Sequence, residues 1–193
     1  MHIRNILLKI TIPISKVMSK MAKPECLVTS EQFLDIKSKI QDGDVLCSYV
    51  GWEVSNDFIP GIFKHCGIYL NGYVYEATTH GTRKVLLEEF FFKKDKIGIA
   101  RRKGGLTIEQ IVKGLALMNQ NLNEPYDWSF GIEGVSTWYF SKWCRMFFIA
   151  GDPNFEQSFV LRKVFDEPTV TPSDFWLADK FFIQVASYNL ESK

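Results

Sequence analysis

Three side chains in this chain of 193 residues are of types that together carry out acyl chemistry: the thiol of Cys144, the imidazole of His65 and the carboxylate of Glu76. A thiolate attacks a carbonyl carbon, an imidazole takes up and returns the proton, and a carboxylate fixes the orientation of the ring. Cys144 stands in Trp143-Cys144-Arg145-Met146-Phe147-Phe148, entered through Ser141 and left at Gly151-Asp152-Pro153. With Ser141 as N-cap, Cys144 falls at the third helical position, near unpaired backbone N–H groups where the helix dipole favours thiolate over thiol. Such a sulfur needs a base, and Lys64-His65-Cys66-Gly67-Ile68-Tyr69-Leu70 supplies one upstream.

The positions of His65 and Glu76 follow from a hairpin. Asn71-Gly72 is a strong two-residue turn signal and predicts that His65–Leu70 pairs antiparallel with residues 73–77. Counting back from the turn sets His65 near Thr78, diagonal to Glu76 and on the same face of the sheet, within reach of a long carboxylate. Glu76 lies on an otherwise apolar strand, where an unpaired carboxylate is costly, so it needs a partner. His80, beside Gly81 in a turn, is the alternative third member. Cys66 points to the face opposite His65, and Cys26, Cys47 and Cys66 read as inert core thiols.

The elements that must position these groups are legible in part. A helix is expected from residue 30 to residue 40, a strand over residues 44–50, a loop from Gly51 to Phe63 with turn signals at Asn56-Asp57 and Pro60-Gly61, and a further strand over residues 97–100. Thr107 with Gln110 is a capping box for a helix carrying Ile108, Ile111, Leu115 and Met118. Glu88 to Phe92 reads equally as a short helix or a strand end. Thr171-Pro172-Ser173-Asp174-Phe175-Trp176 is a helix start, with proline early and an acid in the first turn. The aromatics Trp128, Phe130, Trp138, Tyr139, Phe140 and Trp143 lie between the two halves of the site, and any exposed part of them would suit an acyl or other apolar group.

Composition narrows the function classes. A net charge of +1, with no basic runs interleaved with aromatics, gives no footprint for nucleic acid. Four separated cysteines without Cys-x-x-Cys suggest neither a disulfide framework nor a zinc site, and fit a reducing, cytoplasmic compartment. Ile3, Ile6, Leu7, Ile10, Ile14, Val17, Met18 and Met21 recur at helical spacing while Arg4, Lys9, Lys16, Lys20 and Lys23 fall mostly elsewhere. This basic amphipathic run, with Pro13 inside it, is too interrupted for a transmembrane span or a secretory core. Two readings stay open: a helix lying on an anionic membrane, or one packed on the domain. Residues 1–29 are expected to form this segment and residues 30–193 a single domain.

Taken in order, Gly43-Asp44-Val45-Leu46, His65-x-Gly67-Ile68-Tyr69, Glu76-Ala77, Pro125-Tyr126-Asp127, the aromatic-Cys helix from Trp143 to Phe148, and Thr171-Pro172-Ser173-Asp174-Phe175 resemble the NlpC-type cysteine hydrolases. More narrowly, the chain is similar to their circularly permuted papain-like branch, the YiiX-like and lecithin retinol acyltransferase-like group, over roughly residues 30 to 180. The resemblance implies an α+β fold, a small antiparallel sheet packed on the helix that bears the nucleophile. It implies hydrolysis or transfer of an acyl group held as amide, peptide or ester, through an acyl-enzyme on Cys144 with His65 as base and Glu76 as third member. The substrate would be a small molecule, lipid or peptide, with no metal or cofactor. Members of the group show Tyr-Cys-Ser-Glu-Leu at the nucleophile. The Cys144 register keeps a capped thiol at the helix start. A rival register, Tyr139-Phe140-Ser141-Lys142-Trp143, would set Phe140 where the sulfur belongs and make the chain an inactive relative that binds or supports.

Overall fold

In a computed structural model, residues 27–51, 56, 59–130, 132, 137–158, 161–164 and 167–190 are described. The amphipathic run over residues 3–21, Cys26 and parts of the Gly51–Phe63 loop lie outside them. The elements run α1 (Ser30–Lys39), β1 (Val45–Tyr49), β2 (His65–Leu70), β3 (Tyr73–Thr78), β4 (Gly81–Leu86), α2 (Leu87–Phe91), β5 (Lys96–Arg102), α3 (Ile108–Gln120), α4 (Phe140–Gly151), β6 (Arg162–Val164), β7 (Glu167–Thr169), α5 (Pro172–Leu177) and β8 (Phe182–Tyr188). Six strands form one antiparallel sheet in the order β4-β3-β2-β1-β5-β8, and β6 pairs with β7 apart from it. The fold is α+β.

The hairpin forms because its turn residues tolerate left-handed backbone: Asn71 has φ 49° and Gly72 φ 85°, and Leu70 faces Tyr73 across the turn. The starts of α1, α3 and α5 follow from side chains that satisfy orphan amides. Thr29 and Gln32 form a capping box on α1, and Thr107 and Gln110 form another on α3. At α5 the Asp174 carboxylate accepts from the Thr171 amide and hydroxyl, both at 2.8 Å, while Pro172 occupies a position that needs no donor. The ambiguous stretch after Leu86 resolves as α2. Strands β4 and β8 carry weaker signals in the sequence. Arg83 and Lys84 interrupt the middle of β4, and β8 is an edge strand exposed along much of its length, so neither shows a clean apolar alternation.

Alternation along the strands divides the core in two. On one face Val45, Cys47, Cys66, Ile68, Tyr75 and Ala77 meet α4 and α5, with Trp143, Phe147, Phe148 and Phe175 almost wholly buried. On the other, Leu46, Val74, Val85, Ile97 and Ile99 meet α1 and α2 through Phe33, Ile36, Phe90 and Phe91. The helices α3 and α4 pack closely because Gly114 has no Cβ: one built there would lie 2.3 Å from the Phe147 ring.

Candidate functional site

Strand β2 opens on His65, and β3 carries Glu76 opposite Gly67, so the two side chains share a face and reach across diagonally. The His65 Nε2 lies 2.7 Å from Glu76 Oε2. The other carboxylate oxygen, Oε1, accepts from Arg83 Nε at 2.8 Å and Nη2 at 2.6 Å. Burial alone would raise the Glu76 pKa, but the hydrogen bond and charge of His65, with Lys94 and Arg83, outweigh it and hold the group at about 2. Glu76 is therefore an ionised carboxylate only 2% exposed, braced from two strands. Arg83 escaped the sequence reading. The signal was there: with Thr79-His80 read as a two-residue turn, Arg83 falls directly opposite Glu76, which is the register observed.

His80 does not join this group. It is exposed at that turn, with its Nδ1 3.3 Å from the Thr79 hydroxyl.

Cys144 does not join it either, which corrects the expectation built on the Ser141 cap. Helix α4 begins two residues earlier relative to the sulfur: Tyr139 is the N-cap, without a side-chain hydrogen bond, and Phe140 is the first helical residue. Two contacts set this start. The Tyr126–Trp138 bridge fixes the entering chain, with the Asp127 amide donating to the Trp138 carbonyl at 2.9 Å. The Ser141 hydroxyl is occupied inward, 3.7 Å from the Cys66 sulfur, and caps nothing. Cys144 is thus the fifth helical residue. It is fully buried on the α4 side of the sheet, and its thiol lies against that of Cys66. Burial, with Cys66 and Cys47 nearby, pushes the Cys144 thiol well above its ordinary pKa, the opposite of an activated nucleophile.

Phe140 stands beside the imidazole instead. Its ring centroid is 5.4 Å from that of His65, edge to face at 75°, while Phe90 of α2 stacks on the imidazole at 5.9 Å. His65 sits at the end of its strand, so the first residue of α4 reaches it past the sheet margin, whereas Cys144, one turn on, projects into the core. Around Phe140 lie Tyr126 at 6.3 Å and Phe130 at 6.4 Å, and Tyr126 contacts Trp128 at 5.0 Å. Tyr126 and Trp128 are half-buried and Phe130 is buried. The Lys142 ammonium lies 3.3 Å from the Asp127 carboxylate, and Tyr139, raised to about 12 by burial, accepts from the Thr169 hydroxyl at 2.7 Å. These contacts tie the 126–130 segment and the β7 end to the start of α4. Among the described residues, no group of three or more His, Cys, Asp or Glu side chains is placed to hold a metal ion.

The arrangement matches a known frame. The crystal structure of metalloprotein yiiX from Escherichia coli superposes with a TM-score of 0.59 over 78% of this chain and 98% of that one, at 19% identity, a likeness of fold. No curated protein matches the chain. The pattern described as the permuted papain-like amidase enzyme family of YaeF and YiiX matches residues 39–182, which include β1 to β5, α3, α4 and α5 together with His65, Glu76 and Phe140. By that match, the chain belongs to the permuted papain-like amidase family.

Proposed function

We propose that this chain is a member of its amidase family that keeps the imidazole–carboxylate pair but not thiol attack, and that it serves as a binding protein. The observation that carries this reading is the Phe140 ring at 5.4 Å from His65, at the helix start where the rival register of the resemblance would set the nucleophile. A phenyl ring has no lone pair to offer a carbonyl carbon. Cys144 does not replace it, because its sulfur is sealed on the far face of the sheet with a raised pKa. Glu76 and Arg83 hold His65 in a fixed orientation. The half-buried Tyr126 and Trp128 beside Phe140 suit a small molecule, lipid or peptide that presents an acyl or other apolar group.

The test installs the missing sulfur. The wild-type chain is expected to turn over no fluorogenic amide or ester, and Phe140→Cys is expected to gain a thiol alkylated by iodoacetamide near neutral pH at a rate that falls in the double variant with His65→Ala. Turnover by the wild type that Cys144→Ser abolishes would overturn the reading and restore Cys144 as nucleophile.

A further inference from the structure

The imidazole of His65 is surrounded by polar groups that nothing in the chain satisfies. His65 turns Nε2 to the ionised Glu76, so that nitrogen carries hydrogen and Nδ1 is left over. Among the described residues Nδ1 has no hydrogen-bond partner, yet it is not one of the sealed polar atoms, and the His65 side chain is 12% exposed. Ser48 of β1 stands directly across from His65 and therefore on the same face of the sheet. Its hydroxyl is buried and has no partner among the described residues. The Phe140 amide opens α4 behind an N-cap whose side chain bonds no helix amide, and no described residue accepts from it. Buried donors of this kind are costly until something accepts from them.

We infer that the ligand of this site is a carboxylic acid with an apolar chain, its carboxylate shared among His65 Nδ1, the Ser48 hydroxyl and the Phe140 amide, its chain along Tyr126 and Trp128. The inference rests on the binding-protein reading and names the ligand. Charge favours an acid. Arg83 and Lys94 stand close enough for their charges to act on Glu76, the carboxylate bonded to the imidazole, whose two oxygens are already taken by His65 and Arg83. Those of Asp127 are likewise engaged, by Ser129 and Lys142. Geometry of the groups agrees. A carboxylate accepts several hydrogen bonds at once, and with an imidazole nitrogen it shares a proton whichever partner holds it, where an alcohol makes only a weaker uncharged bond. The half-buried Tyr126 and Trp128 lead away from Phe140, the ring nearest the imidazole on that side, and suit the apolar part.

Isothermal titration of the full chain with octanoate, octan-1-ol and octyl phosphate tests this. Octanoate is expected to bind about tenfold or more tighter than octan-1-ol. His65→Ala should weaken octanoate by about ten- to a hundredfold and octan-1-ol far less, with unchanged circular dichroism showing that the variant folds. In the unsubstituted chain, where folding is not in question, the nitrogen-15 resonance of His65 Nδ1 should move on adding octanoate and that of Nε2 much less. The same titration in Cys144→Ser separates the two proposals: a chain without that thiol reports binding whether or not the wild type turns over an ester, so turnover counts against the binding-protein reading and lost binding against the ligand. Octan-1-ol bound as tightly as octanoate, octyl phosphate bound more tightly, octanoate indifferent to His65→Ala, or no octanoate binding at millimolar concentration each overturns the inference.

Discussion

At the scale of single residues the site is governed by one buried charge. Glu76 is held at about 2 in the fold against an ordinary 4.5, because His65, Lys94 and Arg83 outweigh its burial. A carboxylate with a depressed folded pKa contributes stability that is present above its unfolded value and lost as pH falls through the folded one. The contribution, on the order of 3 kcal/mol, should therefore be intact above about pH 4.5 and fade toward pH 2. In urea titrations the wild type is expected to lose stability steeply over that window, and Glu76→Gln to be less stable at pH 7 with a shallower fall. Equal slopes in the two proteins would show that the ion pairs contribute nothing. The His65–Glu76 diagonal was legible because a two-residue turn fixes strand register by counting. Arg83 emerges only when the next turn is set at Thr79-His80, since a turn at His80-Gly81 would put Val85 opposite Glu76 instead.

At the scale of elements, α4 decides what the site holds. Its sequence offers two starts, and a hydroxyl at Ser141 suggests a cap. In the fold the hydroxyl turns toward Cys66, and the helix begins on the aromatic pair Tyr139-Phe140 that the neighbouring strands and the 126–130 segment enclose. Capping is a local preference worth about 1 kcal/mol, less than the burial of two aromatic rings at about 1.5–3 kcal/mol each, so packing overrides it. The choice of register was open in the sequence for this reason. The seat of α4 against α3 rests on Gly114. Alanine there is the better helix former by about 1 kcal/mol, yet its Cβ would lie 2.3 Å from the Phe147 ring. Gly114→Ala is expected to destabilise by about 1–3 kcal/mol in thermal or denaturant melts. A stabilised variant would mean that the two helices slide apart without cost.

At the scale of the whole molecule, the sheet separates two chemistries. Cys47, Cys66 and Cys144 are free, fully buried and gathered under α4, while the imidazole and its carboxylate belong to the α2 side. These three thiols should resist a membrane-permeant disulfide reagent in the native protein and react together on unfolding, which stopped-flow labelling across a denaturant series would show as one shared midpoint. Early labelling of Cys144 alone would argue for an opened helix start. The helix starts at Thr107 and Thr171 and the central strands were readable from residue types because each depends on near neighbours in sequence. The separation of sulfur from ring was not, because it depends on which turn of α4 reaches the margin of the sheet. No helix among the described residues is long and apolar enough to cross a membrane.

Ion pairs stand at both margins of the central strands. Arg83, Glu76 and His65 lace β4, β3 and β2 together at one end, and at the other Arg101 of β5 grips Asp44, just ahead of β1, with two bonds of 2.8 Å. Short strands ordinarily fray from their tips inward. Here both tips are pinned, so fraying at either must first break an ion pair to a buried carboxylate.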